Sequence, residues 1–226
     1  MKAGRLSITG WLLAAVLSGP AHAGVVQSAA AVSGPPPFPS SAHTWDKTID
    51  QSGLVGGYVS GVTDFDTYVA LQPRHFGQSS FPPNFAVSPA TLPEAVDYDL
   101  GASFEILQLA FWNYPFPDSA GPSSIEVFTS NDAAFAGGTL VGTFSPLNDG
   151  TGNDVAAGLN VVQVFDLTDT TARYLRINVL ATPAGNGIGW SEVAFDVIPS
   201  AIPEPQTYAL LLAGLGLLGF AARRKA

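Results

Sequence analysis

Short apolar runs, most of five to eight residues, recur along the middle of the chain, each bounded by Gly, Pro, Asn or Asp, and they constrain its architecture more than any other feature. Runs of that length suit strands and are too short for independent helices. Residues 104–112 are apolar on both faces, as a central strand would be. Residues 125–129, 139–144 and 161–167 follow. Leu175, Ile177 and Val179 alternate with Tyr174, Arg176 and Asn178, and Val193, Phe195 and Val197 alternate with Glu192, Ala194 and Asp196. A period of two with one apolar face predicts strands that each turn one face to a core. No helix of convincing length interrupts this pattern, and the 24 Gly and 18 Pro with only 12% charged residues suit turns between strands. The expectation is an all-β chain, an antiparallel β-sandwich over residues 45–198.

The flanks differ from this pattern. Residues 24–44 are rich in Ala, Ser, Gly and Pro and read as a linker or an edge segment. Ahead of them, Lys2 and Arg5 precede an apolar stretch that ends in Ala21-His22-Ala23. Basic residues, a short apolar helix and small residues at 21 and 23 form a secretory leader, residues 1–23, with signal peptidase cutting between Ala23 and Gly24. The competing reading, an uncleaved anchor, requires this short helix to span a bilayer.

At the other end, residues 199–207 contain Pro203-Glu204-Pro205, an apolar helix follows over 208–222, and the basic tail 223–226 includes Arg223 and Arg224. The prolines stop regular structure, and the basic tail holds the terminus in the cytoplasm, so the preceding domain lies outside. Fifteen helical residues rise roughly 22 Å, short of the roughly 30 Å hydrocarbon core, which makes a marginal permanent anchor. Glycines 214, 216 and 219 allow close approach of a second helix. In this order, Pro203-Glu204-Pro205, Thr207, Gly214-Leu215, Leu218-Gly219 and Arg223-Arg224 resemble the PEP-CTERM sorting tail. The resemblance implies an exosortase-like membrane protease as partner, transient anchoring in the inner membrane, and a final place at the cell surface or in an extracellular matrix. An ordinary single-pass anchor is the alternative.

Charge and chemistry narrow the function. Between Gly24 and Ile202 four basic residues face 17 acidic ones, a net of −13, so a phosphate backbone would be repelled and nucleic acid is excluded as a partner. The absence of Cys excludes disulfides, thiol nucleophiles and thiolate metal sites. No Gly-x-Ser-x-Gly element or Gly-rich phosphate loop occurs, and after leader removal only His43 and His75 remain, neither in a catalytic or metal-ligating motif. No catalytic residue and no organic cofactor are therefore expected. Asp64-Phe65-Asp66, Asp97-Tyr98-Asp99 and the loop containing Asp149, Asn153 and Asp154 are rich in oxygen. Asp64, Asp66, Asp149, Asn153 and Asp154 are candidates for a structural calcium, against the ordinary reading of Asp, Asn and Gly as turn formers.

Asp99-Leu100-Gly101, Ile106, the run from Ile125 to Asp132, Arg173-Tyr174-Leu175-Arg176-Ile177 and Ser191-Glu192-Val193 resemble discoidin, or coagulation-factor type C, domains over roughly residues 97–197. The resemblance implies a galactose-binding-like jelly roll with ligand loops at one end. The paired cysteines of many members are missing, and residues 45–96 match poorly. Candidate sugar-binding residues are Trp45, Arg74, His75, Asn113 and Tyr114, as rings that stack or groups that hydrogen-bond, whereas Trp112 and Trp190 border strands and read as core. The function expected is noncatalytic binding of extracellular polysaccharide; a structural or adhesive role through protein contacts is the alternative, and a secreted enzyme ranks third.

Overall fold

The computed structural model describes residues 24–38, 42–76, 83–116, 119–147, 159–185 and 187–199. Both predicted terminal helices, the sorting motif, Ala21 and Ala23, and Asp149, Asn153 and Asp154 lie outside the described residues. Twelve strands form among them: β1 Val25–Gln27, β2 Ala31–Ser33, β3 Leu54–Val55, β4 Arg74–Phe76, β5 Ala86–Pro89, β6 Glu94–Trp112, β7 Ser124–Ser130, β8 Thr139–Phe144, β9 Leu159–Val161, β10 Gln163–Ala181, β11 Gly187–Trp190 and β12 Glu192–Pro199. The only helical pieces described are a 3-10 turn, Trp45–Thr48, and a six-residue helix α1, Phe65–Ala70.

The main sheet runs β1-β12-β6-β10-β7-β8, with β2 also pairing β6, and every pairing in it is antiparallel. Two 19-residue strands, β6 and β10, pair along most of their length and form its spine. The predicted strands at 161–167 and 174–179 are thus largely one strand, bent where the register with β6 shifts between Asp166 and Thr170. A ribbon of β5 and β11 and the 3-10 turn cover one face. Trp45, Trp190, Phe111, Tyr98 and Phe195 meet between these layers, giving the antiparallel sandwich the alternating pattern predicts.

A second apolar cluster lies on the opposite face at one end of the sheet. Ala110, Trp112 and Ala194 from β6 and β12 pack there with Val26, Tyr58, Phe65 and Tyr68. Trp112 buries its ring and donates its indole N–H to the Pro73 carbonyl at 2.9 Å. The predicted alternation in 192–197 is therefore absent, because β1 and α1 cover the face on which Glu192, Ala194 and Asp196 lie. The segment 24–44 is likewise no simple linker. Val26 is fully buried in β1, which pairs with β12, and β2 pairs with Tyr98 and its neighbours.

Candidate functional site

At the other end of the main sheet the outer face is uncovered. Val96, Tyr98, Ile125, Val127, Leu175 and Ile177 point into the core, so Asp97, Asp99, Glu126, Phe128, Tyr174, Arg176 and Asn178 stand outward, each half-buried by its neighbours. The register puts Asp97 opposite Arg176 across the β6–β10 pair. Arg176 grips both Asp97 carboxylate oxygens, at 2.7 and 2.8 Å, and Arg173 grips Asp99 in the same way at the same distances. Asn178 donates to Glu126 at 3.1 Å. The hydrogen bonds from Arg173 hold the Asp99 carboxyl below the usual carboxylate range, and Asp97 does the converse to Arg176, raising its already high value.

Phe135 arches over this polar floor from the β7–β8 turn. The turn is fastened by its own polar groups: Ser130 Oγ accepts from Asp132 N, Asp132 Oδ1 from Ala134 N, and the Asp132 carbonyl from Phe135 N. Phe135 adopts φ 55, a left-handed conformation uncommon for a bulky residue and of a kind that gathers at ligand sites. Its ring lies 4.2 Å from the Arg176 guanidinium and meets Tyr174 edge-on at 6.5 Å. A concavity of about 150 Å³ opens on one side, between Phe135, Tyr174, Asp97 and β2, and another of about 300 Å³ on the other, between Phe135, Phe128, Arg176 and Asn178. Fixed aromatic edges beside planar polar groups can take apolar C–H surface and paired hydroxyls together. The carboxylates here are tied to guanidiniums, which suits them to accepting hydrogen bonds and not to donating a proton.

The residues singled out in the sequence fall elsewhere. Trp45 is 6% exposed, packs at a tilt against Trp190 with ring centroids 4.8 Å apart, and donates its N–H to the Pro35 carbonyl, so it has no free face to offer a sugar. Asn113 is fully buried and structural: its amide nitrogen donates to the Pro122 and Leu147 carbonyls, and its side-chain oxygen accepts from Tyr114 N. Tyr114 packs edge-on against Phe85 and Phe116. His75 is fully buried on β4, and burial lowers its ring to about 4, so it is neutral at physiological pH. Arg74 alone is exposed, beside a concavity of about 320 Å³ with Val55, Tyr68 and Leu71. Asp64 caps α1 by accepting from Thr67 N at 2.8 Å, a turn-forming role, and Asp66 stands in its first turn. Among the described residues no group of three or more His, Asp and Glu has the geometry to hold a metal. Asp97 and Asp99, in the second oxygen-rich stretch, each have an arginine partner.

Residues 201–225 match the PEP-CTERM protein-sorting motif, and this motif indicates an exported protein. No curated protein matches the chain. Among solved structures, the chain is similar to CpGH89CBM32-5 from Clostridium perfringens in complex with GalNAc-beta-1,3-galactose, at 14% identity and a TM-score of 0.41, over 53% of this chain and 84% of that one. It is similar to the CBM32 of AlyQ in complex with 4,5-unsaturated mannuronic acid, at 16% identity and a TM-score of 0.44, over 76% of this chain and 97% of that one. A third is CBM32-3 from a family 31 glycoside hydrolase from Clostridium perfringens, at 18% identity and a TM-score of 0.41, over 68% and 96%. The sandwich described above rests on the strand order and register of this chain itself.

Proposed function

We propose that the protein is an exported surface protein, released from its leader after Ala23 and sorted through its tail by an exosortase-like protease, whose sandwich binds extracellular carbohydrate without catalysis. The observation that carries the binding reading is the open face: Phe135, held in a strained turn, divides two concavities floored by Arg176–Asp97 and Asn178–Glu126. The ligand class is a neutral glycan, because the net −13 between the two termini repels polyanions such as polyuronates and the two arginines of the face are already neutralised. A glycan array with the exported protein tests this. Neutral glycans should be retained, and Phe135→Ala, which removes a half-buried ring that belongs to neither apolar core, should lower retention at least tenfold; equal retention by the variant would remove the face from the reading.

The sorting half is tested separately with Glu204→Ala. That change leaves the apolar helix untouched, so unprocessed protein should accumulate if the motif is read as a sequence, and normal processing would favour a plain anchor. A second binding reading, adhesion through protein contacts, draws on the aliphatic surface of Val55, Val59, Val62 and Leu71, which are 60–77% exposed. Self-association that disappears in Leu71→Asp, without any retained glycan, would favour it.

A further inference from the structure

β1 is fastened from the residue that precedes it. The Gly24 carbonyl accepts from Phe65 N at 3.0 Å, Val26 N donates to the Thr63 carbonyl at 2.8 Å, and Val26 stands opposite Asp196 in β12. The Asp196 side chain reaches back along the sheet to Gly24, where an added Cβ would lie 1.8 Å from Asp196 Oδ1. A backbone nitrogen sits about 2.5 Å from the Cβ position of its own residue, so the Gly24 nitrogen lies within about 4.3 Å of that oxygen. Any side chain at 24 would collide with the carboxylate, which accounts for glycine there.

Asp196 has no cation beside it among the described residues. The residue is 5% exposed, its Oδ1 has no hydrogen-bond partner among the described residues, and none of the described ion pairs includes it. Burial, followed by the nearby Asp66 and Asp64, pushes its carboxyl up to about 6. A buried carboxylate beside two others is costly unless it is protonated or paired.

We propose that the missing cation is the α-ammonium of Gly24, formed when the leader is cut, so that export processing itself completes this corner of the fold. The inference rests on the leader reading above. In the precursor the Gly24 nitrogen is a neutral amide with one N–H. Water hydrolyses the Ala23–Gly24 bond, the acyl carbon leaves with the leader as the Ala23 carboxylate, and the nitrogen becomes an amine that takes up a proton. The same atom, already within reach of Asp196, then carries a full charge and three donors. The ammonium would draw the Asp196 carboxyl down and tie the first strand to the last.

The test compares the exported protein with a variant carrying one extra Ser between Ala23 and Gly24, each alone and combined with Asp196→Asn, with every start read by N-terminal sequencing. The added residue moves the charge outward and leaves the strand intact. The expected result is a start at Gly24, a Tm lower by a few degrees in the extended protein, and loss of that difference in the Asp196→Asn background. Carbon-13 titration of the Asp196 carboxyl gives a second readout, below the usual carboxylate range in the natural protein and above it in the extended one. A start at Gly24 with equal Tm values and equal titrations overturns the proposal and leaves the leader reading standing. A start elsewhere overturns both. A calcium-dependent rise in Tm that Asp196→Asn removes, with no effect of the extension, assigns the carboxylates to a divalent ion and overturns the proposal too.

Discussion

The two ends of the main sheet are built from the same long strands and handle charge in opposite ways. Where β6 and β12 run past α1 and β1, both faces are covered, and residues 192–197 are all buried. Charges caught there are isolated: Glu192 has one oxygen accepting from Gln51 N and the other without a partner among the described residues, and burial raises its carboxyl well above the usual range. Where β6, β10 and β7 leave the covering layer, one face is open, and every arginine on it grips an aspartate. The lesson is that coverage, not strand identity, decides whether a polar residue in this sheet is a cost or a tool. The open end can afford a binding surface, while the covered end needs its charges neutralised by protons or by a cation.

The largest predicted effect probes the one face both ends share. Ile177 is fully buried and Asn178 is its outward neighbour, so Ile177→Asp should unfold the domain, whereas Asn178→Asp should cost less than about 1 kcal/mol in chemical denaturation. Equal effects would show the facing of β10 to be wrong.

Next in size, the covered and open ends are set against each other directly. Trp112→Ala should cost about 3–5 kcal/mol, since it empties the second core and removes one of the two donors to the Pro73 carbonyl, which keeps its bond from Val162 N, and Tyr174→Ala about 1 kcal/mol or less. Comparable losses would mean that the outer face is covered at both ends.

The pH dependence is smaller and has a worked sign. His75 is lowered in the folded state from 6.5 to about 4, so the unfolded chain binds the proton more readily. Its contribution to stability is full above about pH 6.5 and is lost as the pH falls toward 4. Glu192, raised in the folded state, acts oppositely: its contribution is present below 4.5 and is lost as the pH rises through its folded value. Thermal melts of His75→Gln should therefore lose less stability than the natural protein between pH 7 and 4. An identical slope would show that the imidazole is solvated.

The smallest effect belongs to the ion pairs of the open face. Arg176 and Asp97 are 33% and 28% exposed in their side chains, so a double-mutant cycle with Arg176→Met and Asp97→Asn should give a coupling of about 1 kcal/mol or less, weakened further by salt. A much larger coupling would make the pair a pillar of the fold and not an adjustable part of a surface.

The sequence carried the half-exposed strands well, because Leu175, Ile177 and Val179 alternate against polar residues over enough positions to fix a period of two. It carried β12 less well: Glu192 and Asp196 look solvent-facing until β1 and α1 are laid over them. β1 itself was illegible, since Val25-Val26-Gln27 is too short to show a period and takes its structure from Asp196 and its neighbours across the ladder. The site was harder still. Conspicuous residues such as Trp45, Asn113 and Tyr114 look like ligand groups because they are aromatic or amide-bearing, and the same properties let them fill cores and bridge loops. The pairing of Asp97 with Arg176 depends on a register between positions 79 residues apart, and Phe135 sits unmarked among Ala and Gly in a turn. The exported character, by contrast, lies in a contiguous motif at residues 201–225 and needs no tertiary information.

The most direct test of the central claim is a titration of the isotope-labelled exported protein with a neutral glycan retained on the array, followed by amide and side-chain NMR. The account predicts saturable shifts confined to Phe135, Tyr174, Arg176, Asn178 and Asp97, lost in Phe135→Ala. Shifts centred on Arg74 and Leu71, with the Phe135 turn unmoved, would contradict it.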